Sequence, residues 1–255
     1  MSGLPPTPLP PLAHLLAVMA RLRHPKDGCP WDLEQSFATI VPHTIEEAYE
    51  VAEAIETADW DALKDELGDL LFQVVFYAQL GREQGLFDFD AIALSIAEKM
   101  IRRHPNVFGD AKEASAEAQT KAWEIHKEKE KPRLGALDGV AVTLPALSRA
   151  AKLQKRAARK GFDWDSAAPV IGKMREELAE LEAEIAARDQ AGLFEEMGDL
   201  LFTCVNLARK LAIDPESALR SANRKFERRF KAVEASGAKT PAAMEAAWEQ
   251  AKKAE

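Results

Sequence analysis

The sequence predicts an all-α protein built from two tandem helical-bundle domains. Long periodic segments rich in Ala, Leu, Glu, Lys and Arg dominate the chain, and no run of β-branched residues alternates convincingly, since Phe72 to Tyr77 sits inside a longer helical pattern. The third observation is an internal repeat. Glu46-Glu47-Ala48-Tyr49-Glu50 is followed sixteen residues later by Glu66-Leu67-Gly68-Asp69, and Glu176-Glu177-Leu178-Ala179-Glu180 by Glu196-Met197-Gly198-Asp199 at the same interval. The second copy is displaced by 130 positions, and each Gly-Asp runs on into Leu-Leu-Phe. A chain of 255 residues has room for one large domain or two ordinary ones, and the repeat decides for two.

In chain order, residues 1–11 hold five of the fourteen prolines and are expected to be an extended or disordered tail. The first domain spans 12–134. Leu12 to Arg23 reads as an amphipathic helix, broken by Asp27-Gly28-Cys29-Pro30-Trp31-Asp32. Pro42, with Thr44 as cap, starts the first carboxylate helix, which runs to about Glu56. Asp59 to about Arg82 is the second, ended by Gly81 and Gly85. Asp90 to Arg103 is a third, stopped by His104-Pro105, and Ala114 to Lys131 is a charged fourth that carries Trp123.

Pro132, Gly135 and Gly139 mark the boundary, and the second domain spans 135–255. Leu144 to Lys160 parallels the opening helix, and Gly161-Phe162-Asp163-Trp164-Asp165 parallels the earlier turn. Val170 to Arg188 and Asp189 to Leu211 are the carboxylate helices, Asp214 to Ser236 is the third, and Thr240 to Lys253, with Trp248, ends the chain.

Helix geometry turns the repeat into chemistry. Residues three and four apart share a face, so Glu46, Glu47 and Glu50 crowd together, Glu66 and Asp69 do the same on the next helix, and a short connection brings the two helices back antiparallel. Four carboxylates then converge. Such a cluster needs protons or a cation to relieve its repulsion, and hard oxygen ligands suit magnesium, manganese or calcium. A single acidic pair on a helix usually faces water; two copies with equal internal spacing shift the balance toward a metal site.

The third helix of each copy adds cations at matching spacing: Lys99, Arg102 and Arg103, against Lys225, Arg228 and Arg229. Guanidinium forks match phosphate oxygens, although such cations also pair with abundant acids. Trp123 and Trp248 offer rings on which a base can stack, with core packing the commoner use of a helical Trp.

Composition narrows the partners. A formal charge of −8 argues against a protein that coats nucleic acid. Lys152 to Lys160 carries five positive and no negative charges, which a basic connecting helix explains. Cys29 and Cys204 are one per half and read as reduced thiols, the apolar stretch Leu12 to Met19 is short and interrupted by His14, and no run approaches a membrane span. A cytoplasmic protein with no membrane partner is expected.

Taken together, EExxE and ExxD on paired helices, duplicated, with Gly-Cys-Pro-Trp-Asp near the start and Lys-Phe-Glu-Arg-Arg-Phe near the end, resemble the MazG nucleoside triphosphate pyrophosphohydrolases. The similarity covers nearly the whole chain beyond the first eleven residues. It implies an all-α fold in which helices of two protomers build bundles, a homodimer, and magnesium-dependent cleavage of a nucleoside triphosphate to the monophosphate and pyrophosphate, with manganese as a substitute ion. Carried over by motif, Glu177, Glu180, Glu196 and Asp199 are the implied metal ligands of the second copy and Glu47, Glu50, Glu66 and Asp69 those of the first, with Glu176 and Glu46 assisting beside them. Lys173, Glu176, Glu195, Asn206, Asn223, Lys225, Arg228, Arg229 and Trp248 are the implied nucleotide contacts, and Glu46, Lys99, Arg102, Arg103 and Trp123 their first-copy equivalents.

The copies are unequal. Asn206 corresponds to Phe76, Asn223 to Ala97 and Lys173 to His43, so the first copy lacks hydrogen-bonding side chains where a nucleotide would lie. The second site is therefore expected to dominate. A di-iron or di-manganese carboxylate protein would require Glu-x-x-His, and none of His14, His24, His43, His104 and His126 has Glu three residues before it. The remaining alternative is a non-enzymatic helical scaffold or partner-binding regulator with remnant acids.

Overall fold

A computed structural model describes residues 9–109, 115 and 135–254. Among the described residues there are eleven α-helices and no strand. The chain divides into two compact units, 1–130 and 131–255.

In the first unit, α1 (Pro11–Leu22), the short α2 (Pro30–Glu34), α3 (Phe37–Thr57), α4 (Trp60–Glu83), α5 (Phe89–Arg103) and the single turn α6 (Pro105–Phe108) follow one another. α3 and α4 pack along each other as a hairpin, α1 packs on α4, and α5 packs on α4 as well. The core is Met19, Ile40, Val75, Phe76 and Leu80, with Leu15, Leu16, Phe37, Phe72, Tyr77 and Phe89 packed around it. Arg23 is buried beside this core, its guanidinium 5.4 Å from the Phe76 ring centre.

The second unit repeats the plan with α7 (Ala146–Ala158), α8 (Ala167–Ala187), α9 (Gln190–Lys210), α10 (Pro215–Ala235) and α11 (Pro241–Lys253). α8 and α9 form the hairpin, α7 packs on α9 and α10, and α11 packs on α10. Val170 and Val205 are fully buried. The buried Gln154 donates its Nε2 to the Phe202 carbonyl at 2.8 Å, while its Oε1 is buried without a partner.

Both hairpins use the same turn. Ala58 and Arg188, 130 positions apart, end α3 and α8 in the left-handed conformation with φ of 56° and 57°. Asp59 and Asp189 then cap the following helices, accepting from the Ala62 and Ala191 amides, each at 3.0 Å. These side chains satisfy backbone donors that a helix start leaves without intrahelical partners.

The structure corrects the predicted start of the first carboxylate helix. α3 begins at Phe37, five residues before Pro42, and Pro42 lies inside it. Ser36 and Thr39 form a capping box, and Ile40 and Phe37 anchor the first turns in the core, so packing and capping outweigh the missing Pro42 donor. Thr44 is therefore no cap; its hydroxyl meets the Ile40 carbonyl at 3.2 Å and the Tyr77 hydroxyl at 2.9 Å. The break expected at 27–32 contains the start of α2, which Pro30 initiates as its first residue. The predicted helix Ala114 to Lys131, with Trp123, lies outside the described residues, Ser115 excepted, as do residues 1–8 of the expected tail.

Apolar side chains also stand outside each hairpin core. Ile45 and Tyr49 on α3, Leu67 and Leu71 on α4, Ile171, Leu178 and Ile185 on α8, and Met197 and Leu201 on α9 are all exposed. At spacings of four and seven residues they form stripes along the helices that carry the acids.

Candidate active site

The hairpins bring the predicted acids together. Ligand oxygens of Glu47, Glu66 and Asp69 all lie within 4.8 Å of one another, and those of Glu177, Glu196 and Asp199 do the same in the second unit. Each group takes one carboxylate from the first helix of a hairpin and two from the second. Glu50 and Glu180 lie outside these groups of three, yet close enough to act on them through their charge.

The electrostatics record the crowding. Burial raises the proton affinity of Glu47 first, and the charges of Asp69, Glu50 and Glu66 raise it further, against a lowering hydrogen bond from Gln73. Loss of water likewise raises Glu66, helped by Glu50 and Asp69, and raises Glu196, helped by Glu180, Glu177, Asp199 and Glu195. A carboxylate raised in the folded state is penalised in its charged form. That penalty is present at neutral pH and fades as pH falls through the raised folded value. Metal-free Glu196→Gln is therefore expected to unfold at a higher temperature than the parent at pH 7 in a chelator. The difference shrinks toward the usual carboxylate range of about 4 to 5, and thermal unfolding at the two pH values checks it.

The neighbours of the two clusters differ. In the second unit Lys173 Nζ donates to Glu176 at 2.6 Å and lies 2.9 Å from Glu177 Oε1, and these partners hold Lys173 above the ordinary lysine range. Glu177 is only 4% exposed. In the first unit His43 stands 3.8 Å from Glu46 and meets Trp31 edge-on at 5.9 Å, while Gln73 Nε2 donates to Glu47 at 3.4 Å. Glu195 is exposed beside Glu196 on α9.

The predicted nucleotide contacts are distributed over α8, α9, α10 and α11. Asn206 accepts from Arg209 Nη2 at 2.7 Å, whereas Phe76, its counterpart, is a core residue. Asn223, Lys225 and Arg228 are exposed on α10, and Ala97 is exposed on α5. The Arg229 guanidinium lies 5.7 Å from the Trp248 ring centre, and Trp248 also packs on Phe226 at 5.3 Å. Trp248 thus lines a cleft of about 310 Å³ with Phe226, Phe230, Val233, Pro241 and Met244. In the first unit Lys99 lines a cleft of about 380 Å³ with Phe87, Ile92, Ser95 and Ile96, and Arg102 and Arg103 follow on α5.

Sequence reasoning missed Gln73 and the ionic knot at Asp163. Arg209 and Lys210 both bind Asp163, Arg209 Nη1 at 3.0 Å and Lys210 Nζ at 2.6 Å, and Lys210 also donates to the Trp164 carbonyl. These bonds, Arg209 first, hold the Asp163 carboxyl far below its usual range. The knot ties the turn before α8 to the end of α9, on the side of Asn206. One signal was readable, because Asp163 stands before Trp164-Asp165 where the first copy has Pro30 before Trp31-Asp32.

Two helical hairpins, each presenting three mutually close carboxylates with cationic third helices, define an all-α protein with a duplicated hard-oxygen site. The MazG nucleotide pyrophosphohydrolase domain matches residues 35–108 and 166–234, the two segments that contain these hairpins. The chain belongs to the MazG family. It is 54% identical over 225 residues to the nucleoside triphosphate pyrophosphohydrolase of Escherichia coli K12, a match covering 86% of each chain. It is 46% identical over 222 residues to the Thermotoga maritima nucleoside triphosphate pyrophosphohydrolase/pyrophosphatase MazG, covering 86% of this chain and 84% of that one. A Mycobacterium tuberculosis nucleoside triphosphate pyrophosphohydrolase is 35% identical over 153 residues, 59% of this chain and 46% of that one.

Proposed function

We propose that this chain hydrolyses nucleoside triphosphates, ribo or deoxy, to the monophosphate and pyrophosphate, with magnesium or, as a substitute, manganese, in nucleotide-pool house-cleaning or control. The observation that carries the reading is the pair of carboxylate groups within 4.8 Å, in a chain 54% identical to an enzyme of that name. The donor set fits a divalent cation: it is all hard oxygen, and Glu47, Glu66 and Glu196 are each raised by loss of water and by the charges of neighbouring carboxylates.

In this reading Glu177, Glu196 and Asp199 hold the ion, with Glu180 completing the set, and Glu47, Glu66, Asp69 and Glu50 are their equivalents. A bound ion would supply charge neutralisation for the polyphosphate and a more acidic water; attack of that water at phosphorus would break the α–β phosphoanhydride bond, leaving the monophosphate and pyrophosphate. Glu176 and Glu195, beside the ligands, orient that water. Lys173, Lys225, Arg228 and Arg229 balance charge on the departing pyrophosphate. Asn206 and Asn223 bond the nucleoside, and Trp248 offers its ring to the base.

The second unit does most of the chemistry. Phe76 in the core and Ala97 on α5, standing where Asn206 and Asn223 stand in the second unit, support this. We further read the protein as a homodimer of paired MazG-like domains, 12–134 and 135–255, in which the exposed stripes of α3, α4, α8 and α9 are covered by a second copy. A cytoplasmic location is supported by the free thiols of Cys29 and Cys204. No described helix is long and apolar enough to cross a membrane.

Pyrophosphate release from a panel of nucleoside triphosphates, with magnesium and with chelator, is the test. Release that requires the metal supports the reading. A folded protein inert toward every triphosphate in the panel overturns it in favour of a scaffold with remnant acids.

A further inference from the structure

The two carboxylate groups differ in the group that meets their buried acid. On α8 the ammonium of Lys173 lies 2.9 Å from Glu177 Oε1 and 2.6 Å from Glu176 Oε1. On α3 the corresponding side chain is His43, directed to Glu46 at 3.8 Å, and the acid equivalent to Glu177, Glu47, is met instead by the neutral Gln73 amide. One group holds a cation of its own; the other holds a dipole.

This difference bears on the order of binding. The Glu177 side chain is 5% exposed, so water screens its attraction to Lys173 poorly, and a divalent ion entering beside Glu177 would meet a positive charge already seated there. An ammonium on a four-carbon stem can leave by rotation about its side-chain bonds, and a triphosphate offers it oxygens of higher charge density than one carboxylate. In the first unit no such exchange is required at Glu47.

We propose that Lys173 is a resident counter-ion of the second carboxylate group, displaced from Glu177 only when a triphosphate draws it away, so that divalent-cation loading of the second site is coupled to nucleotide while the first site loads without it. This inference rests on the reading of both groups as divalent-cation sites. Linkage makes the coupling reciprocal: the nucleotide tightens the metal by the factor by which the metal tightens the nucleotide.

The test is a Mn2+ titration of the full-length protein, with free Mn2+ read by electron paramagnetic resonance, in a Glu47→Gln, Asp69→Asn background that silences the first group. Without nucleotide, adding Lys173→Met tightens Mn2+ at the second site by about tenfold, the middle of the usual coupling range. Lys173→Arg, which keeps a cation, leaves the affinity weak. A non-hydrolysable triphosphate with a methylene between its α and β phosphorus atoms tightens Mn2+ in the parent background more than in Lys173→Met, by about the same factor. Mn2+ binding that Lys173→Met leaves unchanged or weakens overturns the counter-ion role, and if Glu177→Gln still abolishes binding, the metal-site reading survives. Mn2+ binding that Glu177→Gln does not affect overturns both.

Discussion

Glu177→Gln is expected to lower pyrophosphate release from a nucleoside triphosphate by on the order of a hundredfold or more, the loss typical when a pre-positioned charge at a reaction centre is removed. Glu177 is the buried member of the second group, within 4.8 Å of Glu196 and Asp199. The amide keeps the volume and the helix, so circular dichroism stays that of the parent. Glu47→Gln causes a much smaller loss, because Phe76 packs in the core where Asn206 stands in the second unit. Steady-state rates for the two variants decide between the units. Equal losses would assign the chemistry to both, and an unchanged rate in Glu177→Gln would remove Glu177 from the mechanism.

The largest expected effect on stability is at Arg23. Its guanidinium grips both Glu83 oxygens, at 2.9, 3.1 and 2.6 Å, reaches the Gln35 carbonyl at 3.4 Å, donates to the Asp32 carbonyl, and lies over Phe76. Arg23→Ala removes the cation, takes its donors from the Asp32 and Gln35 carbonyls and from Glu83, which keeps Gln79 Nε2 at 2.9 Å, and opens space beside the core. Arg23 is buried but the Glu83 carboxylate is a third exposed, so water screens part of the loss, and the cost falls to about 2 kcal/mol, short of the roughly 3 kcal/mol for breaking a fully buried pair, or roughly 4–8 °C for a chain of this size. Urea unfolding checks it, and a loss below about 1 kcal/mol would show that Arg23 is held by packing alone. Arg23→Lys does not rescue, since a point charge cannot reproduce the fork. The Arg23 hydrogen bonds hold Glu83 below its ordinary value, so this part of the stability is present above about pH 4 and lost as pH falls through the lowered value.

How far the sequence could be read depends on how local each feature is. The pairing of Glu47 with Glu66 and Asp69 was legible because spacing along a helix and a short turn fix which side chains can meet. Three of four predicted ligands per unit lie in mutual ligand reach, while Glu50 and Glu180, one turn further along their helices, lie outside those groups and are felt there through their charge. The start of α3 was misread because Pro42 is a strong local signal and the Ser36–Thr39 capping box a weaker one; burial of Ile40 settled the competition. Of the knot at Asp163 only the aspartate's place in the turn was legible, since Arg209 and Lys210 lie 46 and 47 residues away and meet it only after α9 is seated. The same holds for Trp248, whose contacts with Phe226 and Arg229 exist only once α11 folds back on α10.

The left-handed residue between the acid-bearing helices has one more consequence. Ala58 and Arg188 set the phase at which the returning helix begins, and with it the azimuth of every side chain beyond. One residue inserted there would rotate the returning helix by about 100° relative to its partner, turning Glu66 and Asp69, or Glu196 and Asp199, away from the acid they face. The two-residue joint works as an indexing pin: it aligns oxygens that are distant in the chain, and its identical placement in both halves accounts for two clusters of one shape arising from quite different flanking residues.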